Sequence, residues 1–394
     1  MAAPGVARLL SGDPRLAQRW WQRMAAGVPA VADLPAASRC RVLLVLAGTD
    51  TAAVPGISAA GATPEARRRT AAADAELLLL GPEQPLPHAL PPLPAGVSPA
   101  LIARVVLEQL AIEPLVVDLG APVAPAVPHL RPSGGLACGP AGCLSGGAAM
   151  DPLRVAGLLA LGRRWGERLA RLGQPVLLAE CVPGGTSTAQ AVLEGLGVPA
   201  AGLVSGSLRE PAHGLKAELV RRGLAAAGLA RSAAPAEAVL AAVGDPMQAL
   251  AAGLVQAAAA AELPLLLAGG SQMAAVLALA LALTPAPDRP RLLAQAALAT
   301  TAWVAQEPGS DLVALLGRIG ERWGGAPLAY ATGLRFGGCR SPELQAYERG
   351  YVKEGVGAGG LALLWELSGR DPAALAAACD RACERLRRTS GAAP

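Results

Sequence analysis

The chain has 394 residues, which is enough for one large domain or two smaller ones. Hydrophobic residues make up 53% of it and aromatic residues 3%, so we expect a core built mostly from Ala, Leu and Val. The net charge of +4 comes from scattered basic residues, and all of these are arginines except Lys216 and Lys353. Because no arginine-rich run carries interleaved aromatic residues, the composition argues against a nucleic-acid partner.

The seven cysteines favour a reducing environment. Their number is odd and no secretory signal precedes them, so we expect free thiols and a cytoplasmic protein. Cys138 and Cys143 flank Gly-Pro-Ala-Gly, with His129 nearby, but this spacing alone is too unspecific to predict a zinc site. Cys379 and Cys383 lie one helical turn apart among alanines, which is typical of core packing.

One uncharged segment, residues 263–287, resembles a membrane span. The sequence Gly269-Gly270-Ser271-Gln272 interrupts it, and neither half approaches the ~20 residues that a spanning helix needs. We therefore predict a strand, a turn and a buried helix here, and no membrane partner.

The first 150 residues mix apolar runs with helix signals. The run RVLLVLA is typical of a strand buried on both faces, and a serine followed by proline is a helix start signal. In chain order we predict one or two helices in residues 1–40, a strand at 41–47, a second apolar run at 76–80, a helix at 98–110, a strand at 115–118 and a long loop at 119–150.

From residue 151 the pattern alternates regularly. We predict helices at residues 151–172, 188–196, 247–261, 273–283 and 311–323, and strands at 175–179, 239–243, 263–268 and 292–300. Such alternation predicts an α/β fold, a doubly wound parallel sheet with helices on both faces. Residues 41–370 would form this domain, and residues 1–40 and the C-terminal segment 371–394, with a helix at 371–388, would form a smaller helical subdomain.

Three predicted strand-to-helix turns carry glycine beside a small polar or acidic residue, at residues 180–188, 244–246 and 269–272. In an open parallel sheet such turns lie along the carboxyl edge, where these sheets bind ligands. A fourth glycine-rich stretch, residues 350–360, precedes an apolar helix at 361–367. Glycines let a backbone approach a ligand, and the amides that open a helix bind anions, so the turns predict a phosphate-bearing ligand. The alternative is that these glycines only pack helices closely.

Other phosphate-binding signatures are missing from the sequence. There is no GxGxxG after the first strand and no GxxxxGK followed by Ser or Thr, which argues against a dinucleotide dehydrogenase and a P-loop kinase. Histidine is rare, with His88, His129 and His213 alone, so carboxylates are the expected acid–base groups. Glu180 and Glu354 are the two candidates, because each stands at the head of a glycine-rich turn. For Glu180 the alternative is a cap on the helix that follows.

The turns together resemble the nicotinate-nucleotide:dimethylbenzimidazole phosphoribosyltransferase family. The resemblance covers roughly residues 40–370 and rests on residues 180–189 (ECVPGGTSTA), 244–247 (GDPM), 267–273 (LAGGSQM) and 354–359 (EGVGAG). The chain looks most like a divergent branch of that family found in archaea and cyanobacteria, in which residues 55–64, 205–208 and 350–360 recur. Residues 131–150 depart from the branch's usual loop.

This resemblance implies phosphoribosyl transfer from nicotinate mononucleotide to a base, dimethylbenzimidazole or one like adenine, giving an α-ribazole-type 5′-phosphate for cobamide assembly. It implies Glu354 as general base, Glu180 as support for the cationic transition state, no metal or other cofactor, and a homodimer. The predicted substrate-binding residues are Gly184, Gly185, Thr186, Ser187, Asp245, Gly269, Gly270, Ser271, Gln272, Lys353, Gly355, Gly357 and Gly359.

Two other functions stay open at this point. One is a nucleotide-binding accessory or regulatory protein of cobamide synthesis without catalysis, and the other is a phosphoribosyltransferase of a different pathway. A pure binding protein has no need of a base, so the presence of both glutamates favours an enzyme. For Lys353, a charge partner of the ligand and a solvated surface lysine are both open.

Overall fold

The protein is described from a computed structural model, which covers residues 7–28, 40–229 and 233–389. Its centre is one seven-stranded sheet. The strands are β1 (Arg8–Ser11), β2 (Arg41–Leu46), β3 (Leu115–Asp118), β4 (Val176–Cys181), β5 (Leu265–Ala268), β6 (Ala296–Thr300) and β7 (Leu328–Ala331). Their order across the sheet is β1-β7-β6-β5-β4-β2-β3, with β1 antiparallel to β7 and every other neighbouring pair parallel.

Helices cover both faces of this sheet. They are α1 (Pro14–Ala25), α2 (Pro64–Leu80), α3 (Ala100–Gln109), α4 (Pro152–Leu172), α5 (Gly185–Gly195), α6 (His213–Ala226), α7 (Ala236–Val243), α8 (Pro246–Ala260), α9 (Ser271–Leu283), α10 (Arg289–Gln295), α11 (Ala302–Ala305), α12 (Leu312–Trp323), α13 (Pro342–Glu348), α14 (Ala358–Leu367) and α15 (Pro372–Thr389). Short 3-10 turns lie at Asp50–Ala53, Leu144–Gly146 and Ala286–Asp288. No helix in the described part of the chain is long and apolar enough to cross a membrane.

The strand β4 shows how the two faces are separated. Successive side chains of a strand point to opposite faces, and all six residues of β4 are buried. Val176 and Leu178 belong to the hydrophobic core that includes residues of α4, α5, α8 and α9. Leu177 and Ala179 belong to the second core, which includes residues of α1, α3, α14 and α15. By this alternation Glu180 continues the first set and Cys181 the second.

The predicted α/β architecture is confirmed, and so is the long loop over residues 119–150, which contains the one short turn Leu144–Gly146. The sequence analysis missed β7 and the edge strand β1. Residues 8–11 form β1 rather than part of a helix, whereas α1 fulfils the helical prediction. Residues 1–6 and 29–39 lie outside the described residues. Because β1 joins the sheet, the separation of residues 1–40 and 371–394 into a subdomain stays a prediction.

Three apolar runs are helical; the sequence analysis predicted strands for two of them and assigned no element type to residues 76–80. Residues 76–80 are the end of α2, residues 239–243 belong to α7, and residues 292–295 belong to α10, with β6 starting only at Ala296. Short runs of Ala, Val and Leu have no period that separates a buried strand from a buried helix, so periodicity misassigned the last two of these runs. The turn at Gly244–Pro246 therefore joins two helices, not a strand and a helix.

Glycines bring α4 and α8 into backbone contact. A Cβ built on Gly162 would lie 2.1 Å from the Leu250 carbonyl oxygen, and one on Gly253 would lie 2.3 Å from the Leu159 carbonyl oxygen. Backbone atoms cannot swing aside as the end of a flexible side chain can. We therefore infer that these two glycines set the spacing of the helix pair.

Replacing Gly162 with Ala should lower the free energy of unfolding by about 1–3 kcal/mol, because the added methyl group overpacks the α4–α8 contact. The matched control is Gly317→Ala in α12, where a Cβ meets nothing within 4 Å. That substitution should raise the free energy of unfolding by roughly 0.5–1 kcal/mol through helix propensity. Urea denaturation measures both, and equal effects of the two substitutions would contradict the packing argument.

Candidate active site

A cavity of about 320 Å³ lies at the carboxyl edge of the sheet. The β4–α5 turn, the β5–α9 turn and residues 351–356 before α14 contribute to its wall. Thr70 and Asp74 of α2 and the proline-rich residues 90–99 contribute a further part. Side chains from both faces of the sheet therefore meet in one space.

The structure brings most of the predicted site residues to this cavity and leaves others away from it. Those that line it are Glu180, Gly184, Gly185, Thr186, Gly270, Ser271, Gln272, Lys353, Glu354 and Gly355. Those outside its lining are Ser187, Asp245, Gly269, Gly357 and Gly359.

The carboxylate of Glu354 is held by four hydrogen bonds. Its Oε1 accepts from the amides of Gly355 (3.1 Å) and Gly359 (3.0 Å). Its Oε2 accepts from the Thr300 hydroxyl (3.1 Å) and the Thr301 amide (3.0 Å). A carboxylate has about four acceptor positions, so these donors fill its capacity. Burial raises the pKa of Glu354, and the bonds from Gly359, Gly355 and Thr301 act in the opposite direction.

Glycines around α14 have a packing role that accounts for their place outside the cavity. A Cβ on Gly357 would lie 2.6 Å from Ala179 Cβ, and one on Gly359 would lie 2.4 Å from the Thr300 carbonyl carbon. These residues let α14 sit directly on the strand ends, which was the alternative stated for the glycine-rich turns. The amide of Gly359 serves Glu354, so it is not available in this arrangement to cradle a phosphate.

Glu180 is in a different environment, although it lines the same cavity. It is 4% exposed, and its Oε2 accepts a hydrogen bond from the Val182 amide at 2.9 Å. Burial raises the pKa of Glu180 to about 8, with further upward contributions from the charges of Asp245 and Glu354. Val182 precedes α5, so this bond does not cap the first turn of that helix. With fewer donors than Glu354, Glu180 takes up a proton far more readily.

The turn between β4 and α5 places backbone close to the cavity. Gly184 has φ +83°, a left-handed conformation that favours glycine, and Gly185 opens α5. A Cβ on Gly185 would lie 1.8 Å from Gln272 Oε1, so the two turns are in close contact. The amides of Gly185 and Ser187 donate to the Val182 and Gly184 carbonyl oxygens, at 2.8 and 2.9 Å, so the turn attracts an anion chiefly through the positive end of the α5 dipole.

Asp245 acts as a helix cap. Its Oδ1 accepts from the Gln248 amide at 3.1 Å at the start of α8, and its Oδ2 accepts from the Thr188 hydroxyl at 2.6 Å. The Gln248 side chain accepts in turn from the Asp245 amide, which completes a capping box. Burial raises the pKa of Asp245 to about 6. Asp245 caps α8 because it stands between the helices α7 and α8, and not at the end of a strand.

Lys353 is buried and paired, which excludes the alternative of a solvated surface lysine. Its Nζ lies 2.5 Å from Glu307 Oε1 and donates to the Leu208 carbonyl oxygen at 2.7 Å. Lys216, the only other lysine, is also buried and donates to the Ser205 carbonyl oxygen at 2.7 Å. Burial lowers the pKa of Lys216 to about 8, while the charge of Glu307 acts to raise it.

The segment that carries Lys353 and Glu354 has a strained backbone. Val352, Lys353 and Val356 have φ of +67°, +65° and +52°, a region that is unfavourable for residues with a Cβ. Such conformations cost on the order of 1–3 kcal/mol each and persist where surrounding contacts enforce them. Here the Thr301 hydroxyl donates to the Lys353 carbonyl oxygen at 2.6 Å, and the Val356 amide donates to the Glu180 carbonyl oxygen at 3.1 Å.

Several residues of this region escaped the sequence analysis. Asp74 was missed because the sequence analysis assigned no element to the residues that form α2 before residue 76, and Glu307 because it follows no strand-end turn. Lys216 carried a usable signal, since it is one of two lysines in a chain rich in arginine. Residues 90–99 were passed over because they have no period, although their prolines line the cavity.

The comparisons with known proteins agree with this architecture. Two solved structures from Thermus thermophilus share the fold: CobT, with a TM-score of 0.54 and 20% identity over 94% of this chain and 92% of that one, and a nicotinate-nucleotide-dimethylbenzimidazole phosphoribosyltransferase, with a TM-score of 0.53 and 18% identity over 97% and 99%. Residues 101–297 match the model of a phosphoribosyltransferase family, DBI_PRT. The fold and the match thus define the class of protein as phosphoribosyltransferase.

Relatives with higher identity are UPF0284 proteins of cyanobacteria. Those of Parasynechococcus marenigrum and Prochlorococcus marinus are 52% and 51% identical to this chain over 350 and 359 residues, covering 88% and 89% of it and 87% of each relative. That of Gloeobacter violaceus is 46% identical over 371 residues, 93% of this chain and 91% of the relative. The chain belongs to the DBI_PRT phosphoribosyltransferase family and, within it, to the UPF0284 proteins, which confirms the resemblance found in the sequence.

The raised pKa of Glu180 predicts a pH dependence of stability. Between 4.5, the ordinary value of a glutamate, and about 8, the folded state holds a proton that the unfolded state releases. Its contribution to the unfolding free energy therefore falls as the pH rises through this window, by on the order of a few kcal/mol. Glu180→Gln removes the ionisation, so its melting temperature should decrease less than that of the parent between about pH 6 and pH 9.

The control for this measurement is Glu237→Gln on an exposed position of α7, which should leave the pH profile of the melting temperature unchanged. Differential scanning calorimetry at several pH values tests both variants. Parallel profiles for the parent and Glu180→Gln would show that Glu180 does not titrate in this window in the folded protein.

Proposed function

We propose that the protein transfers the phosphoribosyl group of nicotinate mononucleotide to a heteroaromatic base, giving nicotinate and an α-ribazole-type 5′-phosphate for cobamide lower-ligand assembly. Membership of the phosphoribosyltransferase family supports the class of reaction. The observation that carries the proposal is the pair Glu180 and Glu354, two carboxylates in one cavity with different hydrogen-bond environments. Environments that separate two acids in this way are a pattern of acid–base enzymes.

The proposed reaction exchanges one C–N bond for another. The bond between C1′ and the nicotinate ring nitrogen breaks, and its electron pair neutralises the positive ring nitrogen, so the leaving group needs no acid. A ring nitrogen of the entering base forms the new bond to C1′ from the opposite face. The proton on the other ring nitrogen of that base passes to a carboxylate.

We assign the proton to Glu180 and a fixed negative charge to Glu354, which reverses the roles implied by the sequence resemblance. The four donors to Glu354 favour its charged form and oppose the effect of burial, because a proton on the carboxylate would displace one of them. A fixed carboxylate beside the ribose stabilises an oxocarbenium-like transition state. Glu180 has free acceptor capacity and a pKa of about 8, close to the value that suits a general base at neutral pH.

The nucleotide phosphate is proposed to bind at the turn before α5, against Gly184, Gly185 and Thr186. Two buried lysines add positive charge beside the cavity: Lys353 lines it and pairs with Glu307, and Lys216 donates to the carbonyl oxygen of Ser205, which also lines it. Ser271, Gln272 and Gly355 complete the proposed substrate contacts.

We also propose a homodimer, from the family resemblance, and a cytoplasmic location, from the odd number of cysteines. Analytical ultracentrifugation tests the first and cell fractionation tests the second.

The test of the function is incubation of the purified protein with nicotinate mononucleotide and a panel of bases, with the products identified by mass spectrometry. Release of nicotinate together with a base ribotide supports the proposal. Nucleotide binding without any turnover would favour a binding protein, and turnover with a different phosphoribosyl donor would favour another pathway.

The roles of the two glutamates predict different pH profiles. In the parent, kcat/KM should rise with pH up to about 8, because Glu180 must be deprotonated to accept the proton. Glu180→Gln should lower kcat by ~10²-fold or more and abolish this rising limb. Glu354→Gln should also lower kcat but retain the limb. If the limb disappears in Glu354→Gln and survives in Glu180→Gln, the assignment is reversed.

Gly185→Ala tests the phosphate position. The added Cβ overlaps Gln272 Oε1, a flexible side-chain end that can move, so the fold should survive with a melting temperature near that of the parent. The KM for the nucleotide should rise by roughly tenfold or more, because the methyl group and the displaced Gln272 crowd the turn. Gly214→Ala in α6, where a Cβ meets nothing within 4 Å, is the control and should leave the nucleotide KM unchanged. An unchanged nucleotide KM in Gly185→Ala would place the phosphate elsewhere.

A further inference from the structure

Asp74 is a third carboxylate of the cavity and has no role in the reaction described above. It belongs to α2, lines the cavity and is 4% exposed. Its Oδ1 accepts from the Ser98 hydroxyl at 2.6 Å, and its Oδ2 accepts from the Cys181 thiol at 3.4 Å. Across the described residues no ion pair neutralises it. A buried carboxylate without a cation is costly unless it is used.

The two donors leave part of the Asp74 carboxylate free. Each oxygen has about two acceptor positions, and each receives one protein donor. Burial raises the pKa of the Cys181 thiol well above its usual value, so the sulfur keeps its proton and remains a donor to Asp74. The Ser98 hydroxyl also accepts from the Ala100 amide at 3.1 Å, which fixes its direction at the start of α3. The carboxylate is thus held in place with capacity for a further donor.

The wall around Asp74 is apolar and suits a flat aromatic ring. Residues 90–99 supply leucines, valine and prolines, whose side chains are apolar and, for proline, rigid. Asp74 lies on the same face of the sheet as Cys181, opposite to the face toward which Glu180 points. On this side a Cβ built on Gly355, which follows Glu354, would lie 3.3 Å from Cγ of Pro99, which follows Ser98. A flat base in this slot would have the glutamates near one edge and Asp74 near another.

We propose that Asp74 is a specificity-determining residue that accepts a hydrogen bond from an N–H or O–H donor on the entering base, at an edge away from the nitrogen that attacks C1′. This inference rests on the proposed function. It names the acceptor class as heteroaromatic bases that carry an amino or hydroxyl donor. A base with methyl groups at that edge would desolvate the carboxylate without satisfying it, which is the situation that polar sites reject most strongly.

The first test uses the unmodified protein and two pairs of bases that differ in the donor. Adenine carries an amino group that purine lacks, and 5-hydroxybenzimidazole replaces the methyl group of 5-methylbenzimidazole with a hydroxyl. Isothermal titration calorimetry should give dissociation constants about 10-fold to 100-fold lower for the donor-bearing member of a pair, the range of hydrogen bonds to charged groups. Equal affinities within both pairs, or no binding of either donor-bearing base, would overturn the proposal.

The second test is Asp74→Asn, which keeps the volume and replaces one carboxylate oxygen with an amide. The preference for the donor-bearing base should fall to within about threefold, while the affinity for its partner changes little. Asp151→Asn, at the exposed N-cap of α4, is the matched control and should retain the full preference. A preference that survives in folded Asp74→Asn would assign the discrimination to another group. If that variant does not fold, the base affinities of the unmodified protein still test the proposal.

The transfer assay separates this inference from the function on which it rests. Absence of turnover with every base would refute the proposed reaction. The role of Asp74 in base recognition would then be judged from the ratios of the dissociation constants alone. Turnover at equal kcat/KM within both pairs would support the reaction and refute the role of Asp74.

Discussion

The carboxylate of Glu354 is the contact on which this edge of the molecule depends. It joins the end of β6, the loop before α14 and the first turn of α14 through four hydrogen bonds. The helix can approach the strands only because Gly357 and Gly359 lack a Cβ, and the loop adopts left-handed conformations at three residues with side chains. The hydrogen bonds to this one buried carboxylate thus offset backbone strain and hold the cavity wall in place. The same donors act to lower the pKa of Glu354.

The other charges of the cavity are arranged by face. Glu180 points from one face of the sheet, and Asp74 and Glu354 belong to the other, so the ligand space is bordered by acids on more than one side. Beside them lie both lysines of the chain: Lys353 pairs with Glu307, and Lys216 donates to the Ser205 carbonyl oxygen. Burial raises the pKa of Asp74 to about 6 and that of Glu180 to about 8, so Glu180 binds a proton more tightly than Asp74 does. Carboxylates with different pKa values suit a site that must bind a phosphate and also accept a proton.

The glycine-rich turns show that one motif can have two uses. Gly184 and Gly185 line the cavity, where an unsubstituted backbone lies open to a ligand. Gly357 and Gly359 do not, and they serve the packing of α14 on the strand ends. The sequence treats the two pairs alike, since each follows a glutamate in a glycine-rich turn. Family membership supports a phosphoribosyltransferase, and we propose that substrate choice depends on side chains such as Asp74 that lie outside the quoted motifs.

The sequence by itself determined the α/β architecture, the buried strands β2, β4 and β5, and the family, because long-range alternation and several turns in fixed order leave little freedom. Glu180 and Gln272 line one cavity because the carboxyl ends of parallel strands share one edge, and Glu354 reaches the same cavity from the loop before α14. Only the tertiary structure decided that α2 and α7 are helices and that β1 adds an antiparallel edge strand. It also decided that Asp74 lines the cavity and that Glu307 pairs with Lys353. These features depend on which buried faces pack together in the tertiary structure. Short runs of Ala, Val and Leu have no periodicity that specifies this packing.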